Sequence, residues 1–406
     1  MKVLVLCLER RVIKLNFKEI KEKDKKYVMN TYNRYELALK EGKGCKVIDF
    51  EGKEYIDFGS GIGVSSIGYA NEKWVDAVSK QAATLAHSSN YYYNQPCCDL
   101  AEKICNRINA KKVFFANSGA EANEGAIKTA RKYSSDKYGA KRYEIITLVN
   151  SFHGRTITTL SSTGQDAFHK NFDPFTKGFV YAQANCIESM KEAINDKTCA
   201  VLIELCQGEG GVIALNKEYV KQVALLCKEK DILLIIDEVQ SGVGRSGTFL
   251  TYEQYNIQPD IVTLAKGLGG GLPIGAFVVF DKCEQVLGYS DHGTTFGGNP
   301  VVCAGANVVM DIVNNELCEE VVAKGNYIRE KVLQMKHVKS VTGIGLMIGV
   351  ELDEEIKVSE IVNACIAKGI VFLTAKARLR MLPPLVITYD EINKGLEVLK
   401  ETLGEY

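Results

Sequence analysis

Asp237 and Lys266 are the two residues whose types and placement most clearly suggest chemistry. The apolar run Ile232-Leu233-Leu234-Ile235-Ile236 stops abruptly at Asp237-Glu238-Val239-Gln240. A second run, Ile261-Val262-Thr263-Leu264, stops at Ala265-Lys266, ahead of Gly267-Leu268-Gly269-Gly270-Gly271. Two buried strands that each end in a charged group can bring an acid and an amine together at the carboxyl edge of one sheet, where α/β folds bind ligands. A lysine that works as a nucleophilic amine has few natural settings, and condensation with an aldehyde cofactor is the commonest.

Other segments could serve the same edge. In Asn117-Ser118-Gly119-Ala120-Glu121, Ser118 and Glu121 fit a capping box, and the small Gly119 and Ala120 leave the first helical N–H groups open to a phosphate. Read alone, this is an ordinary cap. In Ser151-Phe152-His153-Gly154-Arg155-Thr156, Phe152 could stack on a planar ring and Arg155 could grip a carboxylate with two hydrogen bonds; read alone it is a loop, and His153 is structural. Glu204 and Glu209 close a further strand and Asp237 closes the next, and a carboxylate beside a pyridine nitrogen keeps that nitrogen protonated and makes the ring an electron sink. The loop His292–Pro300 offers the hydroxyls of Thr294 and Thr295, and Arg380 stands before the rigid Pro383-Pro384.

The strand ending in Asp237-Glu238 also fits a nucleotide hydrolase, which requires a GxxxxGK[ST] loop upstream. Neither Gly42-Lys43 nor Gly52-Lys53 is followed by Ser or Thr, so that reading fails. Gly208-Glu209-Gly210 and Gly343-Ile344-Gly345 have the wrong continuation for a dinucleotide fold.

These residues need a sheet to position them. Val47–Phe58 alternates around Gly52 and reads as a hairpin. From Lys111 a strand–helix rhythm sets in, with strands at Val113–Phe115, Glu144–Val149, Ala200–Glu204, Leu233–Ile236, Ile261–Leu264 and Ala276–Phe280, and a helix at Lys217–Lys230. Such alternation predicts an α/β fold with a mostly parallel sheet flanked by helices. After Ala304 the texture changes to a long helical stretch reaching Gln334, strands at Val338–Val341 and Gly345–Glu351, a helix at Ser359–Lys368 stopped by Gly369, and a last helix capped by Thr388 and Glu391. The expected division is a large unit over 59–304 and a smaller α+β unit from 1–58 and 305–406.

The 406 residues carry 50 Lys+Arg and 50 Asp+Glu, so charge calls for no nucleic-acid or membrane partner. The 13 cysteines show no CxxC pair and fit reduced thiols in a cytoplasmic protein, with no metal. Met1–Leu8 is too short for a signal-peptide core, and Met1 to Lys26 reads as a short helix or arm.

Taken together and in this order, the segments resemble class III pyridoxal-phosphate aminotransferases of fold type I, from about Tyr32 to about Leu403. The most specific match runs from Leu234–Gln240 to Ala265-Lys266-Gly267. His87–Asn90, Phe152–Arg155 and Arg380–Leu385 point to members that act on N-acetylornithine. The resemblance implies pyridoxal 5'-phosphate bound by Ser118, Gly119, Ala120, Phe152, Asp237, Glu238, Val239, Gln240, Lys266 and Thr295. Lys266 would hold the aldehyde carbon and shuttle the proton, while Asp237 pairs with the ring nitrogen. Thr295 would reach the phosphate of the neighbouring subunit in a homodimer, with Thr294 beside the substrate. Arg155 would take the distal carboxylate and Arg380 the α-carboxylate of glutamate, with Glu209 masking Arg380 when the other substrate is bound. The chain departs from the family where Leu205 replaces the usual proline, and in its early start. Ornithine aminotransferases carry a tyrosine where Ile62 aligns; an aliphatic residue suits an acylated nitrogen better than a free ammonium. Succinylornithine, succinyldiaminopimelate, γ-aminobutyrate and ornithine are the other substrates considered, and an aminomutase or non-catalytic relative is the rival from another class.

Overall fold

The computed structural model describes residues 16–406. The expectation for Met1 to Lys26 lies partly outside them. Within them, α1 (Phe17–Tyr27) starts at Asn16, whose side chain takes the Glu19 N–H while Glu19 takes the Asn16 N–H. It buries none of its residues. The strands β1 (Leu39–Lys43), β2 (Lys46–Asp49) and β3 (Glu54–Asp57) form an antiparallel meander, and β2–β3 is the expected hairpin. Its turn is closed by Asp49, whose Oδ1 accepts the N–H groups of Glu51 and Lys53 at 3.0 and 2.8 Å. A short turn, α2 (Ser60–Gly63), holds Gly61 and Ile62 in left-handed conformations, and α3 (Glu72–Thr84) and α4 (Gln95–Ile108) follow.

The central sheet is built from β4 (Lys112–Ala116), β5 (Glu144–Leu148), β6 (Phe179–Ala182), β7 (Thr198–Ile203), β10 (Leu233–Asp237), β11 (Ile261–Leu264) and β12 (Gly275–Val279). Between them run α5 (Gly119–Tyr138), α6 (Ile157–Ser162), α7 (Ile187–Ala193), the small hairpin β8 (Cys206–Gln207) with β9 (Ile213–Ala214), and α8 (Lys217–Glu229). The strand order is β4-β12-β11-β10-β7-β5-β6. Every neighbouring pair is parallel except those of β12, which is antiparallel to β11 and β4. The stretch from Lys266 to Ile274 contains no crossover helix, so the chain can only turn back beside β11. All residues of β7, β10, β11 and β12 are buried, which is why each reads as an unbroken apolar run. The edge strand β6 leaves Tyr181 exposed and gave no such run.

The expected long helix to Gln334 is two helices, α9 (Pro300–Ile312) and α10 (Asn315–Leu333), bent by 71°. Asn314 makes the break by accepting the Leu317 N–H at 2.9 Å and capping the second helix. Beyond it, β13 (Val338–Ile344), β14 (Met347–Leu352), α11 (Val358–Ala367), β15 (Ile370–Val371), β16 (Leu373–Ala375), β17 (Arg378–Met381) and α12 (Tyr389–Gly404) complete the chain. A four-stranded antiparallel sheet has the order β13-β14-β17-β16, while β15 pairs with β3 and so joins the N-terminal meander to the C-terminal segment. Gly369 ends α11 at φ +90°, and Thr388 with Glu391 forms the expected capping box of α12. Among the described residues, no single helix is long and apolar enough to cross a membrane.

Candidate active site

The parallel pairing of β10 with β11 places Asp237 opposite Thr263, three residues before Lys266. Both charged groups therefore lie at one sheet edge and line a cavity of about 470 Å³. Lys266 adopts φ +42°, a left-handed conformation uncommon outside glycine, at the turn that aims its side chain off the strand. Burial pushes its pKa below the usual lysine range; Arg380 adds to that, and Glu209, Asp237 and Glu204 oppose it. The side chain is thereby biased toward the neutral, nucleophilic amine.

Asp237 is held by three donors. Its Oδ2 accepts His153 Nδ1 and Asn123 Nδ2, each at 2.8 Å, and its Oδ1 accepts the Val239 N–H at 3.0 Å. Neither Asn123 nor the His153 contact was singled out in the sequence. The available signal was helical spacing, since Asn123 follows Gly119 by four residues and shares its face of α5. His153 Nε2 and Asn123 Oδ1 are buried without a hydrogen-bond partner among the described residues.

The amino end of α5 opens on the cavity, which Ser118, Gly119 and Ala120 line. Ser118 Oγ accepts the Glu121 N–H at 3.2 Å, but the return half of the expected capping box is missing. Glu121 instead accepts the backbone and side-chain N–H groups of Asn117, both at 2.7 Å. The N–H groups of Gly119 and Ala120 have no carbonyl within the helix to receive them and face the positive end of a 20-residue dipole. Glycine at 119 lets Val239 pack closely, because a Cβ there would stand 2.7 Å from Val239 Cγ1 and one of the two would have to shift.

A second charged cluster abuts the cavity at Gln240. Arg380 Nη1 donates to Glu209 Oε1 at 2.6 Å, and Gln240 Nε2 reaches the same oxygen at 3.4 Å. Arg380 is only 4 % exposed. Burial raises the Glu209 pKa, but the charge and hydrogen bond of Arg380 outweigh it, and the net shift is downward. The buried Arg245 supports this corner by donating to the carbonyls of Leu346 and Pro383, a role the sequence did not suggest. Arg155, in contrast, is exposed, lies 3.9 Å from the Phe168 ring centroid, and forms no ion pair among the described residues. Phe152 lines the cavity beside it.

Not every expected residue faces the cavity. Glu238 turns inward, where its carboxylate accepts Ser241 Oγ at 2.7 Å and the Tyr252 N–H at 2.9 Å; burial raises its pKa to about 7. A period-2 strand end explains this, since neighbours of Asp237 must point to the opposite side. Thr294 Oγ1 accepts Asn117 Nδ2 and the Gly297 N–H, each at 3.2 Å, whereas Thr295 does not line the cavity of its own chain. Ile62 is 41 % exposed, two residues before the cavity-lining Val64.

An amine and an acid at one sheet edge, an open helix amino end and a masked arginine define a cofactor-dependent group-transfer site on an α/β fold. The chain belongs to the class-III aminotransferases, whose family model matches residues 27–403. It is a pyridoxal-phosphate-dependent enzyme that acts on small amines and keto acids. It is 52 % identical over 388 residues to the acetylornithine aminotransferase of Haemophilus ducreyi, spanning 95 % of this chain and 99 % of that one. The solved ornithine aminotransferase of Toxoplasma gondii superposes with a TM-score of 0.92 at 30 % identity, covering 96 % of each chain. The acetylornithine aminotransferase of Elizabethkingia anophelis superposes at 0.88 with 32 % identity, covering 96 % of this chain and all of that one (100 %).

Proposed function

We propose that this enzyme transfers the terminal amine of N-acetylornithine to 2-oxoglutarate, giving N-acetylglutamate semialdehyde and glutamate. The observation that carries the reading is the 2.6 Å ion pair between Arg380 and Glu209 beside Gln240. An enzyme of this kind accepts one substrate whose reacting amine has no neighbouring carboxylate, and then glutamate, whose amine has one. A buried arginine left unpaired with the first substrate would be costly, and Glu209 offsets it. With glutamate, Glu209 swings away and Arg380 receives the α-carboxylate. Arg155 takes the distal carboxylate, and the aliphatic Ile62 favours an acylated nitrogen over a free ammonium.

The residues present fit pyridoxal phosphate. The cavity has the size of a small-ligand site, its helix amino end suits the phosphate, and the Gly119–Val239 contact leaves no room for a Cβ that would close the cradle. When bound, the cofactor supplies an electron sink for the pair left on the substrate carbon. Ser118, Gly119 and Ala120 would hold the phosphate, Phe152 and Val239 would pack against the two ring faces, and Gln240 would touch the phenolic oxygen. Asp237, kept in place by His153 and Asn123, would hold the proton of the ring nitrogen. The neutral Lys266 Nζ would hold the aldehyde carbon at rest, and would then take the proton from the amine-bearing carbon and return it.

The reading includes a homodimer with shared sites, in which Thr295 reaches the neighbour's phosphate. Two observations support it: Thr295 does not line its own cavity, and its loop carries the 60 % exposed Phe296, tilted against His87, which the 72–100 % exposed Tyr91, Tyr92 and Tyr93 follow in the chain. We read 59–304 as the cofactor-holding unit and 1–58 with 305–406 as the smaller one, a division supported by the β3–β15 pairing.

The test is product identification. Incubation with N-acetylornithine and 2-oxoglutarate should yield glutamate and the acetylated semialdehyde in equal amounts by mass spectrometry. Formation of neither, from enzyme saturated with cofactor, would rule the assignment out.

A further inference from the structure

Glu204 has a place that the roles above do not use. It follows β7, is 6 % exposed, and lines the cavity. Its two oxygens serve different segments: Oε2 accepts the Phe152 N–H at 2.8 Å, and Oε1 accepts the Gly208 N–H at 3.3 Å. No cation pairs with it among the described residues. Phe152 is the aromatic wall of the cavity. Gly208 is the first residue of the tip that joins β8 to β9, and the next residue is Glu209.

The remaining ties of that tip are few. Its own closure is the Val212 N–H to the Gly208 carbonyl at 3.3 Å, and Gly210 and Gly211 lie between, the latter at φ +110°. Glycine at 211 permits that backbone conformation, and a Cβ on Gly210 would stand 2.7 Å from the Asn150 carbonyl oxygen, so the tip packs by shape against its neighbours with few hydrogen bonds to hold it. Among the described residues, Gly208 supplies the only backbone N–H of the tip that bonds outside it, and the acceptor is Glu204. The approach is close on the other side as well: a Cβ on Gly208 would stand 2.1 Å from Gln240 Oε1, and Gln240 touches both Glu209 and Arg380. The path from Phe152 through Glu204 and Gly208 to Glu209 and Arg380 is thus a continuous set of contacts.

We propose that Glu204 is a positioning residue that anchors the Glu209 tip to the Phe152 loop and so sets how readily Glu209 leaves Arg380 when the dicarboxylate substrate enters. The inference rests on the two-substrate reading given above. Burial raises the Glu204 pKa to about 7, opposed by the two backbone N–H bonds from Phe152 and Gly208, and it is the carboxylate form that presents an acceptor and no donor to each of these diverging groups. Glu204→Gln keeps the volume but sets an NH₂ against one of them.

The experiment uses holoenzyme and reads three quantities. Glutarate has the two carboxylates of glutamate and no amine, so its calorimetric Kd reports release of Arg380 without turnover. KM and kcat are measured separately for glutamate and for N-acetylornithine. Glu204→Gln should tighten glutarate about fivefold, the equivalent of one lost hydrogen bond, and lower KM for glutamate by a similar factor. KM for N-acetylornithine should rise. Glu204→Asp, which keeps the carboxylate but shortens its reach to the Gly208 N–H, should shift all three in the same directions, and it decides the matter if Glu204→Gln does not fold. Unchanged glutarate affinity, or KM values that move together for both substrates, would overturn the proposal. If the parent enzyme binds glutarate but does not react with N-acetylornithine, the substrate assignment fails while the glutarate comparison still judges Glu204.

Discussion

At the residue scale, the site works by setting the charge on individual groups. Asp237 is fixed by the donors around it, and burial biases Lys266 toward the free amine. The sign of the Lys266 effect gives a stability prediction. A lysine whose folded pKa lies below its unfolded value destabilises the fold in full below the folded pKa. That penalty disappears as pH rises from the folded value to the ordinary one, because the unfolded chain binds the extra proton. Cofactor-free Lys266→Met should therefore resist urea better than the cofactor-free parent at neutral pH, and the gap should close as pH approaches the normal lysine range. A gap that is flat with pH, or one of opposite sign, would contradict a depressed Lys266. The sequence exposed Asp237 and Lys266 because each interrupts an apolar strand. The partners of Asn123, His153, Glu204 and Arg245 were hidden, because they lie 30 to 138 positions away and no local pattern marks a long-range hydrogen bond.

At the scale of elements, the strands that are buried on both faces were legible almost residue for residue, since burial itself makes the apolar run. What escaped were elements defined by contact. The edge strand β6 alternates weakly, the antiparallel direction of β12 is a property of the short connection before it, and the break between α9 and α10 rests on a single asparagine. The cap of α5 was read correctly in its first half and not its second, because Glu121 found Asn117 a nearer partner. The amino end of this helix yields a separable prediction. Gly119→Ala places a methyl 2.7 Å from Val239 Cγ1, so the cradle must widen. Overpacking of this kind costs about 1–3 kcal/mol, which corresponds to a cofactor Kd raised about tenfold or more. The same overpacking acts on the cofactor-free protein but is offset by about 1 kcal/mol from alanine's better helix propensity, so its stability should fall by at most about 2 kcal/mol. Equilibrium dialysis with pyridoxal phosphate, alongside urea unfolding, separates the two; equal cofactor affinity would mean that Gly119 is not in the cradle.

At the scale of the whole molecule, one chain supplies nearly every group the reaction needs except the hydroxyl assigned to Thr295. If the neighbour provides it, Lys266→Ala and Thr295→Ala chains are each impaired for different reasons. A mixed dimer then contains one site with both defects and one with none. Co-refolding the two inactive or weakened chains should restore activity above the sum of the separate samples, and no gain on mixing would argue for sites complete within a chain. The central claim concerns which amine enters first. It is tested most directly by stopped-flow absorbance on the yellow holoenzyme, mixing it in single turnovers with N-acetylornithine, ornithine and γ-aminobutyrate. Discharge of the visible band should be about tenfold or more faster with N-acetylornithine than with ornithine, as expected when the aliphatic Ile62 leaves a free α-ammonium uncompensated. It should also be faster than with γ-aminobutyrate, which lacks the acylamino carbon altogether, and 2-oxoglutarate should restore the band. Faster discharge by ornithine or γ-aminobutyrate would contradict the account.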